Sequence, residues 1–180
     1  AERKSGEPRK EIVDAALADL NENSSDPRPF FMYLAFANPH DPRVAAKNYL
    51  EQYDASKIRL PANVLPVHPF DNGELRIRDE QLLPWPRTHD DLRRTHHEYL
   101  ATVTALDFHI GRLLKALKDR GLLDDTLVVF SADHGIALGS HGLLGKQNLY
   151  EHSMKAPLVF AGPGVPRGTS NAFCYLFDIF

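Results

Sequence analysis

Cysteine is nearly missing from this chain. Cys174 is the only one among 180 residues, so an internal disulfide is excluded. That absence neither demands nor forbids secretion. Long apolar runs are missing too. The longest, residues 30–37 and 126–132, are strand-sized, far short of the roughly 20 apolar residues that cross a bilayer. Charge of one sign is equally scarce: a net charge of −3 with histidine neutral offers no basic surface to nucleic acid or to an anionic membrane. Repeats and low-complexity tracts are absent, which excludes a solenoid. The opening Ala1-Glu2-Arg3-Lys4-Ser5-Gly6-Glu7-Pro8 has neither the apolar centre of a signal peptide nor an initiating Met. The closing Tyr175-Leu176-Phe177-Asp178-Ile179-Phe180 stops within an apolar segment. Both ends read as cuts, and the expectation is a piece of something longer.

What is present is an ordinary globular balance, 43% hydrophobic and 25% charged, enough for one domain with a real core. Pro8 can open a helix in which Ile12, Val13, Ala16, Leu17 and Leu20 share a face. Residues 30–36 are apolar and aromatic and read as a buried strand, which Asn38-Pro39-His40-Asp41-Pro42 breaks. Residues 54–89 show little regularity. Five prolines punctuate them, Asn72-Gly73 marks a tight turn, and the stretch reads as an irregular insertion or loop. Asp90 then suits a helix N-cap, and Tyr99, Val103, Leu106, Ile110, Leu113 and Leu117 step by threes and fours towards Gly121. A second strand follows over residues 126–132, then a glycine-rich loop, then a short strand over 157–160. This order predicts an α/β fold with a mostly parallel sheet flanked by helices.

Chemistry concentrates after the second strand. In parallel α/β sheets, sites form just beyond the carboxyl ends of strands, and there stands Asp133-His134-Gly135. An Asp and a His on a tight turn are two potential metal ligands; an Asx-turn beside a surface histidine is the other reading. Ser131-Ala132-Asp133-His134-Gly135, Leu138-Gly139, His141-Gly142, Lys146, Tyr150-Glu151 and Ala156-Pro157-Leu158 follow in order. Together they resemble a motif of the sulfatase family, within the alkaline-phosphatase-like superfamily. Residues 100–130 are similar to the family's long helix and following strand, and residues 29–40 to its strand ending in a catalytic histidine.

The resemblance implies an incomplete alkaline-phosphatase/sulfatase-like catalytic domain over residues 1–180. The implied reaction is hydrolysis of sulfate esters, including those of sulfated carbohydrates, with a divalent cation at the site. Asp133 and His134 would hold that cation, usually calcium in the family. A histidine ligand leaves manganese, magnesium or zinc open, because calcium prefers oxygen. Lys146 would contact the sulfate oxygens and offset charge on the leaving group. His40 would donate a hydrogen bond or a proton to the departing alkoxide, although by its own sequence it reads equally as a turn histidine. His141 would contact substrate or support the loop. A periplasmic or secreted location is what the family suggests.

The family's nucleophile is a formylglycine made from Cys or Ser in a Cys-x-(Pro/Ala)-x-Arg context. Cys174 is followed by Tyr175-Leu176-Phe177-Asp178 and does not match; its apolar neighbours predict a buried, inert thiol. The chain is therefore expected to be inactive alone. A phosphodiesterase or phosphonate hydrolase sharing the same metal and lysine logic is one alternative, and a truncated non-catalytic domain is the other. His96-His97 face different directions and form no metal pair. His68, His89, His109 and His152 show no partners in the sequence, and Trp85 reads as core or surface rather than a sugar platform.

Overall fold

A computed structural model describes residues 8–71 and 73–179. The Asn72 half of the expected turn and the segment before Pro8 lie outside the described residues. The chain divides into two units, one of Ala1–Leu60 with Thr88–Gly121, the other of Pro61–Arg87 with Leu122–Phe180. Each is considered by itself.

The first unit is helical. Helix α1, Pro8–Glu22, packs on the 31-residue α3, His89–Asp119, and the short α2, Lys47–Leu50, packs on α3 as well. Val13, Ala16 and Leu20 are the buried face of α1, one helical turn apart, as their spacing predicts. The cap of α3 differs from expectation. Thr88, not Asp90, is the N-cap; its Oγ1 accepts from the Asp91 N–H and its hydroxyl donates to the Asp91 carboxylate. Thr88 and Asp91 are thereby bonded to each other in both directions at the start of the helix. The buried stripe of α3 is partly rotated. Leu106 and Leu117 are buried as their spacing predicts and Leu92, Ala101 and Ala105 join them, whereas Val103 is exposed and Tyr99 and Ile110 lie on the flank. Alanine wins the inner positions because small side chains let Tyr49 and Leu50 approach the helix closely. His97 donates from Nε2 to the Leu50 and Tyr53 carbonyls, 2.9 and 3.1 Å away, and so ties down the end of α2.

Residues 30–36 are not a buried strand in this unit. Their exposure alternates along the segment from Phe31 to Phe36, and they pair with no strand among the described residues. Phe31 and Tyr33 are 87% and 76% exposed.

The second unit holds strands β1, Val128–Ser131, and β2, Leu158–Ala161, which pair antiparallel with Val128 opposite Ala161 and Ser131 opposite Leu158. This is the one sheet among the described residues, and it is not parallel. Residues 132–157 return as a loop carrying only the one-turn α4, Glu151–Met154, and a return of that kind joins antiparallel neighbours. Val129, Phe130, Val159 and Phe160 stay largely exposed. Cys174 is exposed rather than buried, because its neighbours Phe173 and Tyr175 themselves stand in solvent. Among the described residues of 54–89 there are three 310 turns, Ala55–Lys57, Glu74–Arg76 and Arg78–Leu82, and neither a strand nor an α-helix until His89 opens α3. No helix is long and apolar enough to cross a membrane among the described residues.

Candidate active site

The glycine loop is a closed structure. Backbone bonds run from the N–H of Ala137 to Gly145 O, of Leu138 to Leu144 O and of Gly139 to Leu143 O. The chain thus enters this loop from Asp133-His134 and leaves it through Lys146, with the Ala137–Gly145 rung at its base. Leu138 and His141 take positive φ, 46° and 55°, a conformation costly for side-chain-bearing residues, so the surroundings must hold it. Gly135 is required here. Its N–H donates to Ser153 O, and a Cβ would stand 2.0 Å from the His152 carbonyl oxygen.

The restraint comes from the proline-rich segment. Glu80 is 2% exposed, and its carboxylate accepts from the Leu144 N–H at 2.9 Å, the Gly145 N–H at 2.7 Å and Arg87 Nη2 at 2.6 Å. Arg87 also donates to the carbonyls of Gly142 and Glu80 and stacks on Trp85, 3.6 Å from the ring centre. Burial pulls the Arg87 guanidinium below its ordinary value while Glu80 raises it. The approach at Gly145 is tight, since a Cβ would lie 3.0 Å from Glu80 Oε1 and 3.1 Å from Asp79 Cβ, so the buried pair would have to shift to admit one.

Asp79, next along, receives Lys146. The ammonium lies 2.7 Å from Asp79 Oδ2, with both side chains mostly buried, and Gln147 and Arg78 donate to the same carboxylate at 3.0 Å. Burial alone pushes the Asp79 carboxyl up, but the bonds from Lys146, Gln147 and Arg78 outweigh it and bring the pKa down from 3.8 to about 2. A lowered carboxyl pKa gives stability that is complete above the unfolded value and lost as pH falls through the folded one. The second unit is therefore expected to lose on the order of 1–2 kcal/mol between pH about 4 and about 2 from this group, after allowance for solvent screening. Denaturant melts at pH 5 and 2.5 measure it. Asp79→Asn should flatten that part of the pH dependence, and an unchanged slope would contradict it.

Asp133 and His134 follow β1 closely. Asp133 Oδ1 accepts from the His134 N–H, and Asp133 Oδ2 lies 3.5 Å from His134 Nε2. His134 Nδ1 faces the Gly135 carbonyl at 2.8 Å, so it carries the proton and leaves the Nε2 lone pair directed to the Asp133 side. The pair converges as expected, but the Asp133 side chain is 81% exposed, open to solvent rather than recessed in a cleft. Carboxylate oxygen and imidazole nitrogen at this separation suit neighbouring places around one divalent cation. Among the described residues no set of three or more His, Cys, Asp or Glu is grouped closely enough to hold a metal ion.

His141 is wedged into the loop. It stacks on Tyr150 at 4.0 Å, its Nε2 accepts from Asn63 Nδ2, and its carbonyl accepts from His68 Nδ1 at 2.6 Å. His68 is buried against Phe70. Burial, and then the charge of His141, hold the His152 imidazole below its usual value. His40 belongs to the first unit, in the turn after residues 30–36, where Nδ1 donates to the Asp41 carbonyl at 2.8 Å and Asp41 Oδ1 lies 3.4 Å away. The structure thus brings Asp133 and His134 together and sets Lys146 at the base of the same loop. Sequence reasoning missed Asp79, Glu80, Arg87, Asn63 and His68. The acidic pair Asp79-Glu80 within an aperiodic stretch reads like solvated surface.

The sulfatase family profile matches residues 4–180. The choline-sulfatase of Rhizobium meliloti is 33% identical over 163 residues, 87% of this chain and 31% of that protein. Human iduronate 2-sulfatase is 31% identical over 185 residues, 94% of this chain and 34% of that protein. The phosphonate monoester hydrolase of Agrobacterium radiobacter superposes with a TM-score of 0.72 at 27% identity, covering 84% of this chain and 32% of that one. The chain spans about a third of the length of the curated relatives it matches, and its fold is alkaline-phosphatase-like. Because that profile matches nearly the whole chain, the chain belongs to the sulfatase family.

Proposed function

We propose that this chain contributes the metal-holding turn and the sulfate-binding lysine of a sulfuric ester hydrolase acting on sulfate esters, sulfated sugars among them. The observation that carries this is the Ala137–Gly145 rung, which puts Asp133-His134 and Lys146 on the two arms of one loop. Asp133 Oδ2 and His134 Nε2 would hold a divalent cation, calcium by family habit, which supplies Lewis-acid polarisation of the sulfate oxygens when bound. Lys146 meets the charge that grows on the bridging oxygen as the S–O bond breaks. His40, whose Nδ1 donates to the Asp41 carbonyl, would act in its protonated form as the acid that meets the leaving alkoxide. His141, stacked and hydrogen-bonded on several sides, acts by holding the loop. The antiparallel pair β1–β2, with its exposed apolar residues, is read as one part of a larger, mostly parallel sheet.

Hydrolysis of phosphonate monoesters is the second reading, favoured by the superposition on the Agrobacterium enzyme. Turnover of an aryl sulfate and of an aryl phosphonate monoester discriminates them, in a polypeptide joining this chain to the family's nucleophile segment. The sulfate ester should be the faster substrate, and the reverse order would overturn the sulfatase reading. Cation binding has its own test on the chain as it stands. Titration with calcium, manganese and zinc should move the His134 ring resonances, and Asp133→Ala should weaken binding by about tenfold or more. Equal affinities with and without Asp133 would remove it from the metal.

A further inference from the structure

We propose that Asp79 is a positioning residue for Lys146, holding its ammonium at the base of the glycine loop and competing with an oxyanion for it. The inference rests on reading Lys146 as a ligand of the sulfate ester.

The geometry is built in from two sides. Glu80 is locked to the Leu144 and Gly145 N–H groups and to Arg87, so the backbone of Asp79 is fixed against the loop. From the loop side, Gly145 approaches so closely that any Cβ there would lie 3.1 Å from Asp79 Cβ. Lys146 is the next residue, and its 2.7 Å contact with Asp79 Oδ2 follows from that approach. Gln147 and Arg78 hold the carboxylate itself, each at 3.0 Å. The Lys146 side chain is 15% exposed, so one face of the pair remains within reach of an incoming anion.

A carboxylate so placed means that a sulfate oxygen approaching Lys146 must share a cation whose charge is already balanced, so the anion binds less tightly than to an unpaired ammonium. The inorganic sulfate product, a dianion, is held more weakly for the same reason.

Two measurements on the 180-residue chain test this, with Trp85 fluorescence as the folding control. The first is acylation of lysines by a neutral amine reagent, read by peptide mass spectrometry. Asp79→Asn should raise Lys146 labelling roughly fivefold or more relative to Lys47 and Lys57, since the ion pair that holds the amine against the loop is lost. Asp79→Glu should stay close to the parent. The second is titration with inorganic sulfate, followed at the Lys146 ammonium by NMR. Sulfate should bind about tenfold more tightly to Asp79→Asn than to the parent, with Asp79→Glu again reverting. Unchanged labelling overturns the proposal by itself, whatever sulfate does. Raised labelling with sulfate affinity unchanged or weakened overturns the competition. Raised labelling with no sulfate bound at Lys146 in any of the three proteins sinks the sulfate reading first, and the proposal with it.

Discussion

Glu80→Ala is expected to destabilise the second unit by about 3–5 kcal/mol, because it leaves a buried guanidinium without its counter-ion. Three donors converge on the Glu80 carboxylate, two of them backbone N–H groups of the glycine loop. The Arg87 side chain it neutralises is 0% exposed. Each buried donor left unmade costs roughly 1–3 kcal/mol, and water cannot reach Arg87 to replace the lost acceptor without opening the unit. Arg87 would keep its bonds to the Gly142 and Glu80 carbonyls and its stack on Trp85, which limits the loss. Trp85 is the only tryptophan, so urea unfolding followed by its fluorescence reads this unit directly. A loss below about 1 kcal/mol would show that the clamp is not what holds the loop. Glu80→Ala combined with Arg87→Met should be less harmful than the sum of the two, since the charge and its partner leave together.

Lys146→Ala in a polypeptide joining this chain to the family's nucleophile segment is expected to lower kcat by about 10²–10³-fold, the usual consequence of removing one preorganised group from a developing oxyanion. Cation affinity should change far less, because Asp133 and His134 sit on the opposite arm of the loop. The same loss in kcat and in cation binding would place Lys146 in folding rather than chemistry. The 180-residue chain by itself should turn over no aryl sulfate above background, with or without calcium, because no Cys or Ser in it stands in the Cys-x-(Pro/Ala)-x-Arg context. Metal-dependent turnover abolished by Asp133→Ala would show that another residue carries the reaction.

The helices were legible because periodic burial writes itself into sequence. Val13, Ala16 and Leu20 repeat at helical spacing and are buried together. The rotation of α3 was not legible, since Ala101 and Ala105 carry little hydrophobic signal yet occupy the closest packing. Strands β1 and β2 were legible as short apolar runs, but their antiparallel pairing depends on how residues 132–157 return, and glycine-rich loops carry no such information. Asp133, His134 and Lys146 could be found because their order along the chain is itself a motif. Glu80 and Arg87 could not, because their partners include main-chain N–H and C=O groups far away in sequence, which every residue type presents alike.

The Glu80 clamp also sets a clock on synthesis. Glu80 waits for amide groups 64 and 65 residues further on, which at about 5–20 residues per second emerge roughly 3–13 s later. Throughout that interval the first unit's α3, His89–Asp119, is being made. Pro61–Arg87 can therefore form only its internal bonds, such as Arg87 to Glu80, while the helix that follows it takes shape, and the Glu80 carboxylate lacks its loop amides until then. The second unit is by its connectivity the later one to close, and pausing after about residue 121 would prolong the period in which its acidic and basic partners are open to chaperones and proteases.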